Sequence, residues 1–219
     1  MQPTKGYKGV GMEGGIARWY AKLTRKSLSD FQALAQRMAA SLAPGARVLE
    51  IAPGPGYFAI ELAKLGKFEI TGLDISNTFV EIARREAQKQ NLSVDFRQGN
   101  ASQMPFADES FDLMLCRAAF KNFSEPVRAL AEMRRVLRPG GKALIIDLRR
   151  DTPQQEIDKY IDAMNTGSVN SILMKWTFRF MLLKRAYTRE EFEKMIAESG
   201  WKNAQINEAP LGFEITLTK

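Results

Sequence analysis

Two spacings of apolar residues alternate through the middle of the chain. Short runs rich in Val, Ile, Leu and Phe are separated by segments in which apolar residues recur every three to four positions. Short runs are typical of buried strands, and the wider spacing is typical of amphipathic helices. The pattern predicts strands at 47–52, 68–73, 94–98, 111–116 and 143–147, and helices at 57–65, 78–90 and 125–137. Strands that alternate with helices indicate an α/β, doubly wound fold with a mainly parallel sheet.

The two ends of the chain follow other patterns. Apolar residues at helical spacing predict two amphipathic helices within residues 14–42, with a break near residues 27–29. The Arg-Pro-Gly-Gly stretch at 138–141 predicts a helix stop and a turn directly before the strand at 143. Later, a helix is predicted from residue 188 to 197, and the alternating stretch 213–218 predicts a strand that belongs to a hairpin at the sheet edge.

The turn after the first predicted strand carries candidate chemistry. Val48 to Ile51 is followed by Ala52-Pro53-Gly54-Pro55-Gly56, and a helical pattern begins at Tyr57. Glycines let a backbone approach a ligand closely, and the free N–H groups of a helix start point toward a polar group. The second predicted strand ends at Asp74, about 20 residues later, where a carboxylate can bind a ribose. Together these features indicate an adenosine-containing cofactor.

Composition narrows the chemistry. The chain has one cysteine, Cys116, and no histidine, so an intramolecular disulfide is excluded and no metal site is expected. Any proton transfer must use a carboxylate, a tyrosine, a lysine or water. The N-terminus lacks the apolar core of a signal peptide, and no apolar run reaches about 18 residues, so we expect a cytoplasmic protein.

The chain is basic, with a net charge of +7. Two explanations of this charge stay open: a basic surface exposed to solvent, or a surface that contacts a polyanion. One specific hypothesis is peripheral contact with an anionic membrane through Lys175 and Arg179, which lie four residues apart in an aromatic segment. Nucleic acid is not the expected acceptor, because no Asn-Pro-Pro-aromatic motif follows the fourth predicted strand.

Four segments in order resemble the class I S-adenosylmethionine-dependent methyltransferases, and the resemblance covers the chain from about residue 47 onward. The segments are Val48 to Gly56, Gly72 to Ser76, Gln98 to Asp112 and Glu132 to Gly141. The resemblance implies a Rossmann-like, mainly parallel seven-stranded sheet with an antiparallel edge strand, N-terminal helices and a helical lid insertion. It implies S-adenosylmethionine as cofactor and S-adenosylhomocysteine as product, with in-line attack of an acceptor on the sulfonium methyl.

Length and pattern predict one domain over residues 1–219, which the resemblance identifies as a methyltransferase domain. An N-terminal helical cap would occupy 1–43 and the cofactor-binding core 44–147. The lid insertion would occupy 148–187, a stretch that fits the alternating pattern poorly. The C-terminal helix and the edge strands would occupy 188–219.

Cofactor-binding roles follow residue by residue from the resemblance. The glycine turn would lie against the methionine part, with Glu50 organising the turn. Asp74 would hold both ribose hydroxyls, Ile75 would pack on the adenine, and Arg117 would lie beside the transferable methyl. The full set of expected cofactor-binding residues is Glu50, Ala52, Gly54, Gly56, Asp74, Ile75, Asn100, Ala101 and Arg117.

Two residues depart from the family pattern. Ala52 replaces the usual first glycine, which is tolerable if its φ stays below zero. Asn100 replaces the more usual aspartate but keeps a carbonyl acceptor for an adenine amino group, so we expect weaker adenine recognition.

The acceptor is less well defined. Residues 117–123 are similar to a segment of the quinone-biosynthesis C-methyltransferases, but related sequences methylate lipids and many small metabolites. We therefore expect a small-molecule or lipid-like acceptor, with a pocket formed by Tyr20, Phe120, Lys121 and Trp176. The sequence identifies no catalytic residue.

Two alternatives stay open at this point. The stretch from Gly54 to Ala59 also satisfies the G-x-G-x-x-A pattern of nicotinamide dinucleotide sites, so an NAD(P)-dependent oxidoreductase is a rival hypothesis. A non-catalytic cofactor-binding protein of the same fold is the other.

Overall fold

A computed structural model describes residues 6–8, 11–163 and 182–219. Within these residues, seven strands form one sheet in the order β3-β2-β1-β4-β5-β7-β6. The strands are β1 (Arg47–Ile51), β2 (Glu69–Asp74), β3 (Asp95–Gln98), β4 (Phe111–Arg117), β5 (Leu137–Leu148), β6 (Asn203–Ala209) and β7 (Gly212–Thr218). The first five strands are parallel, whereas β7 runs antiparallel to both of its neighbours, β5 and β6. The predicted doubly wound sheet with a C-terminal hairpin at its edge is confirmed.

Helices cover both faces of the sheet. They are α1 (Gly14–Thr24), α2 (Leu28–Ala39), α3 (Tyr57–Ala63), α4 (Asn77–Gln88), α5 (Pro126–Val136), α6 (Gln154–Ala163) and α7 (Arg189–Glu198). One hydrophobic cluster packs α2, α3 and α4 on the sheet, and a second packs α5 and α7 on it. No helix in the described part of the chain is long and apolar enough to cross a bilayer.

The N-terminal helices are separated by one short turn. A 3₁₀ turn, Arg25–Ser27, joins α1 to α2, close to the predicted break. Of the expected lid, the structure describes α6 and a 3₁₀ turn, Leu183–Arg185. Residues 164–181 lie outside the described residues, and so do Trp176 and the pair Lys175 and Arg179.

The structure differs from the sequence expectation at the start of β5. Helix α5 ends at Val136 as expected, but the Arg-Pro-Gly-Gly stretch that follows belongs to β5 rather than to a separate turn. The pairing of β4 with β5 shifts register here, from Phe111 opposite Leu137 to Leu113 opposite Lys142. The backbone N–H of Gly140 also donates to the carbonyl of Lys219 at 2.8 Å. Pairing with distant chain therefore continues the strand through residues that locally favour a turn.

The two glycines of the β1–α3 turn serve different purposes. Both have left-handed backbones, with φ of 56° at Gly54 and 76° at Gly56. A Cβ at Gly56 would lie 2.6 Å from the Phe96 ring and 2.8 Å from the Ala83 Cβ, whereas a Cβ at Gly54 would meet nothing within 4 Å. Gly56 is thus required by packing between α3, α4 and β3, and Gly54 leaves open space at the sheet edge.

We expect Gly56→Ala to destabilise the protein more than Gly54→Ala. Each substitution forces alanine into a left-handed backbone, at a cost of about 1–2 kcal/mol. Gly56→Ala also overpacks the core, which adds about 1–3 kcal/mol. Urea unfolding of the two variants measures this difference in the free energy of unfolding, and equal losses would contradict the packing role of Gly56.

Candidate cofactor site

The strand order places the candidate site at one edge of the sheet. The order reverses between β1 and β4, so the chain leaves these neighbouring strands toward opposite faces. At this point Ile51 of β1 lies between Leu73 of β2 and Cys116 of β4. Open α/β sheets bind ligands outside the carboxyl ends of the strands at such a reversal. The turns that follow β1, β2 and β4 therefore border the candidate site.

Asp74 joins two of these turns. Its Oδ2 accepts the N–H of Gly54 at 2.9 Å, and its Oδ1 accepts the N–H of Ser76 at 2.9 Å. Burial raises the pKa of Asp74 to about 6, against the lowering effect of these hydrogen bonds. A carboxylate has about four acceptor positions. The backbone of Ile75 also bonds to this carboxylate, so about one position is left for the ribose hydroxyls that the sequence predicts here.

Glu50 is buried at the end of β1, and only 4% of its surface is exposed. Its Oε2 accepts the N–H of Ala59 in α3 at 3.1 Å, so it fixes the start of that helix. Burial raises its pKa to about 8, although the Ala59 hydrogen bond and the field of Arg117 act in the other direction. No lysine or arginine of the described residues forms an ion pair with it. A cationic ligand group bound at this edge would supply the missing partner, and S-adenosylmethionine carries both an ammonium and a sulfonium group.

Ala52 does not have the negative φ under which an alanine would be tolerated in place of the usual glycine. Its φ is +55°, in the left-handed region, which costs about 1–2 kcal/mol for a residue with a Cβ. Its N–H donates to the carbonyl of Leu73 in β2 at 2.8 Å. The neighbouring strand therefore imposes the backbone conformation that the family pattern normally gives to glycine.

The expected adenine residues lie beneath a short N-terminal segment, Gly6 to Lys8. A Cβ at Gly6 would lie 2.7 Å from Asn100 Nδ2 and 2.8 Å from Ile75 Cδ1. The side-chain Oδ1 of Asn100 accepts the N–H of Ser102 at 2.9 Å, and Ala101 packs against the core. The structure thus places Ile75, Asn100 and Ala101 near one another, and it adds a cover that the sequence pattern did not indicate.

Backbone and side-chain bonds hold this N-terminal segment in place. Gly6 accepts an N–H from Ser124 at 3.2 Å, and the N–H of Lys8 donates to Asn122 at 2.7 Å. The Lys8 ammonium donates to the Tyr187 hydroxyl at 2.6 Å. These partners are more than a hundred residues away in sequence, so no local pattern could have shown the contact.

A second N-terminal residue, Glu13, anchors the start of α1 to α4. Its carboxylate accepts the N–H groups of Asn77 and Thr78, at 3.0 and 3.1 Å, and the Thr78 hydroxyl. An acid at a helix N-terminus is stabilised by the helix dipole. Glu13 therefore fixes α1 beside the turn that contains Asp74, and it was missed in the sequence because the contact is long-range.

Tyrosines and arginines border the same edge. The guanidinium of Arg117 lies 4.4 Å from the centre of the Phe31 ring. The pKa of Tyr7 is raised, chiefly by burial, while a hydrogen bond to Arg185 and the charge of Arg185 lower it. The pKa of Tyr160 is also raised, chiefly by burial, with Arg117 acting in the opposite direction. Tyr20 acts electrostatically on both tyrosines. We call Tyr7, Tyr20, Tyr160, Arg117 and Arg185 the mixed aromatic and cationic group.

The other expected pocket residues point elsewhere. Phe120 is fully buried in an aromatic cluster with Phe123, Tyr187 and Phe192. The ammonium of Lys121 is buried too, and donates to Asp147 at 2.8 Å and to the Ala118 carbonyl at 2.5 Å. Their surroundings favour a role in holding the loop after β4.

The described residues contain no group of three or more His, Cys, Asp or Glu that could hold a metal ion.

We expect the stability of the protein to fall as pH rises from about 4.5 to about 8, in part because of Glu50. Over this range the folded state retains a proton on Glu50 that the unfolded state has lost, so rising pH favours unfolding. Glu50→Gln should remove the part of this slope that Glu50 causes. Above about pH 6, where Asp74 has titrated, that part is about 1.4 kcal/mol in the free energy of unfolding per pH unit. Denaturant unfolding across this pH range measures the slope.

Glu132→Gln is the matched control for this experiment. Hydrogen bonding to Arg135 lowers the pKa of Glu132, so its titration lies below the range tested. The control should keep the slope of the parent protein, and an unchanged slope in Glu50→Gln would show that Glu50 is ionised in the folded state.

Comparison with known proteins agrees with this geometry. A profile of the family described as "Methyltransferase domain" matches residues 49–145. The demethylmenaquinone methyltransferase of Deinococcus radiodurans is 41% identical over 102 residues, which is 46% of this chain and 42% of that protein. The enzyme of the same name from Chlorobaculum parvum is 29% identical over 177 residues, 78% of this chain and 71% of that protein. The match thus spans less than half of the Deinococcus protein and about seven tenths of the Chlorobaculum protein.

Solved structures share the fold. A proposed S-adenosyl-L-methionine-dependent methyltransferase of Methanococcus maripaludis superposes with a TM-score of 0.76 at 21% identity, covering 97% of this chain and 95% of that one. The YcgJ protein of Bacillus subtilis superposes with a TM-score of 0.62 at 27% identity, covering 82% and 71%. The family profile and the sequence relatives favour the methyltransferase hypothesis over the nicotinamide-dependent one. The family profile, the sequence relatives and the shared fold together support a class I S-adenosylmethionine-dependent methyltransferase.

Proposed function

We propose that this methyltransferase acts on a quinone-like aromatic acceptor in its reduced form and methylates a ring carbon. The observation that carries the proposal is the sequence match over 177 residues to a demethylmenaquinone methyltransferase. The mixed aromatic and cationic group at the sheet edge supports it. A planar acceptor with acidic hydroxyls suits such a surface, because rings stack on aromatic side chains and arginine stabilises a phenolate.

Three residues would hold the cofactor. Asp74 has an acceptor position for a ribose, Glu50 has no cationic partner among the residues that the structure describes, and Gly54 leaves open space in the turn between them. When bound, S-adenosylmethionine supplies a methyl group on a positively charged sulfur, which makes the sulfur a good leaving group. The chain itself has to position the two reactants and exclude water.

Arg117 is the candidate for activating the acceptor. It is the last residue of β4, at the strand reversal, and it acts electrostatically on both Glu50 and Tyr160. A nearby cation favours the ionised form of a phenol, and ionisation makes the neighbouring ring carbon more nucleophilic. After that carbon bonds to the methyl group, the ring loses its proton and becomes aromatic again. With no histidine in the chain, water or a carboxylate would accept this proton.

We expect S-adenosylhomocysteine to bind with micromolar affinity, and Asp74→Ala to weaken it by at least about 100-fold. The variant loses the ribose contacts and the bonds to two turns, each worth about 1.5–3 kcal/mol when charge-assisted. Isothermal titration calorimetry measures the affinity, with NAD as a parallel ligand. Asp112→Ala is the matched control, since Asp112 also accepts a backbone N–H, from Arg47 at 2.7 Å, but lies at the opposite end of the strands. Binding of NAD instead would contradict the proposed cofactor.

We expect turnover with a reduced naphthoquinone that has an open ring position, and none with the analogue that carries a methyl group there. Arg117→Met should lower kcat by about 10–100-fold and move the rise of activity to higher pH, because the phenol then ionises less readily. Arg97→Met is the control, as Arg97 also lies over an aromatic ring, 5.6 Å from the centre of Phe106. If the cofactor binds but no reduced quinone is methylated, the acceptor proposal fails and the cofactor proposal stands.

A further inference from the structure

Helix α1 exposes a continuous apolar stripe. Ile16, Trp19 and Leu23 are 49%, 63% and 43% exposed, and their spacing of three and four places them on one side of the helix. The opposite side, with Ala17 and Ala21, is buried against the protein. Five large apolar side chains are exposed in the described part of the chain, and three of them lie in this stripe. An apolar patch concentrated in this way marks an interaction surface.

Basic residues flank the stripe on one side. Arg18 and Lys22 directly precede Trp19 and Leu23 in sequence, which places both cations on the adjacent strip of the helix surface. Arg25 and Lys26 continue this exposed basic strip into the following turn. No acidic residue occurs from residue 14 to residue 29. Arg25 pairs with Glu86 of α4 at 3.5 Å, so the charge that faces outward beside the exposed apolar side chains is that of Arg18, Lys22 and Lys26.

The stripe lies beside the candidate site. The N–H of Gly14 donates to the Thr78 hydroxyl at 3.0 Å, and the Tyr20 ring packs edge-on against Phe79 at 5.9 Å. Both partners belong to α4, which starts directly after Asp74 and Ser76. A flat partner resting on α1 would thus lie next to the carboxyl edge of the sheet.

We propose that α1 docks this protein on an anionic phospholipid bilayer. Trp19, Ile16 and Leu23 insert at the boundary between headgroups and acyl chains, and Arg18, Lys22 and Lys26 contact lipid phosphates. Tryptophan is favoured at this depth because its ring is apolar and its N–H is polar. A protein partner or a second copy of the chain would cover the apolar stripe equally well, but neither accounts for the one-sided positive charge. Anionic lipid matches both features.

The test is binding of the full chain to vesicles at low salt, without cofactor or acceptor. Vesicles of equal parts phosphatidylcholine and phosphatidylglycerol should bind at least about tenfold more tightly than phosphatidylcholine alone. Trp19→Ser with Leu23→Ser should weaken this binding by at least about tenfold. Leu65→Ser is the matched control, since Leu65 is 45% exposed but follows the end of α3, at the opposite end of the sheet.

A second pair of variants tests the charge. Arg18→Glu with Lys22→Glu should abolish the preference for anionic vesicles, whereas Lys67→Glu, beside Leu65, should leave it intact. Equal binding to both vesicle types would overturn the proposal, as would α1 variants that bind like their controls. Light scattering measures the oligomeric state. A dimer of the parent chain that Trp19→Ser converts to a monomer would also overturn the proposal. Because no turnover is measured, failure here is distinct from failure of the proposed reaction.

Discussion

The carboxylate of Asp74 is the interaction on which the carboxyl edge of the sheet depends. It bonds to the backbone of Gly54 and of Ser76, and so it fixes the turns after β1 and β2 relative to each other. In a buried position, an N–H left without its acceptor would cost about 1–3 kcal/mol. The Ser76 hydroxyl extends the network by accepting the N–H of Phe79 at the start of α4 and donating to the Met12 carbonyl. One acid thus aligns two strands, a helix and the segment before α1.

This edge also buries two carboxyl groups whose ionisation is unfavourable in the folded protein. Burial raises the pKa values of Glu50 and Asp74, and the charge of Asp74 raises that of Glu50 further. Elsewhere the fold pairs its buried charges, as it does for Lys121 with Asp147. Within the described residues neither of these two carboxyls has a paired cation, which is costly unless a ligand completes the site. The electrostatics of the edge therefore suit a positively charged, hydroxyl-rich cofactor.

The N-terminal part of the chain shapes the surroundings of that edge. Gly6 lies against Ile75 and Asn100, Glu13 caps α4, and α1 packs beside them with its apolar stripe outward. The side that faces the cofactor residues and the side that faces outward are thus parts of one continuous segment.

The sequence by itself determined the alternating strands and helices, the glycine turn and the acid at the end of β2, because spacing and turn chemistry act within a few residues. Only the tertiary structure decided the rest. The left-handed backbone of Ala52 follows from its bond to Leu73 on the next strand, and the burial of Lys121 follows from Asp147, 26 residues away. Likewise, no local pattern could place Gly6 on Asn100. These features depend on groups distant in the chain, whose approach is set by how the strands pair and the helices pack.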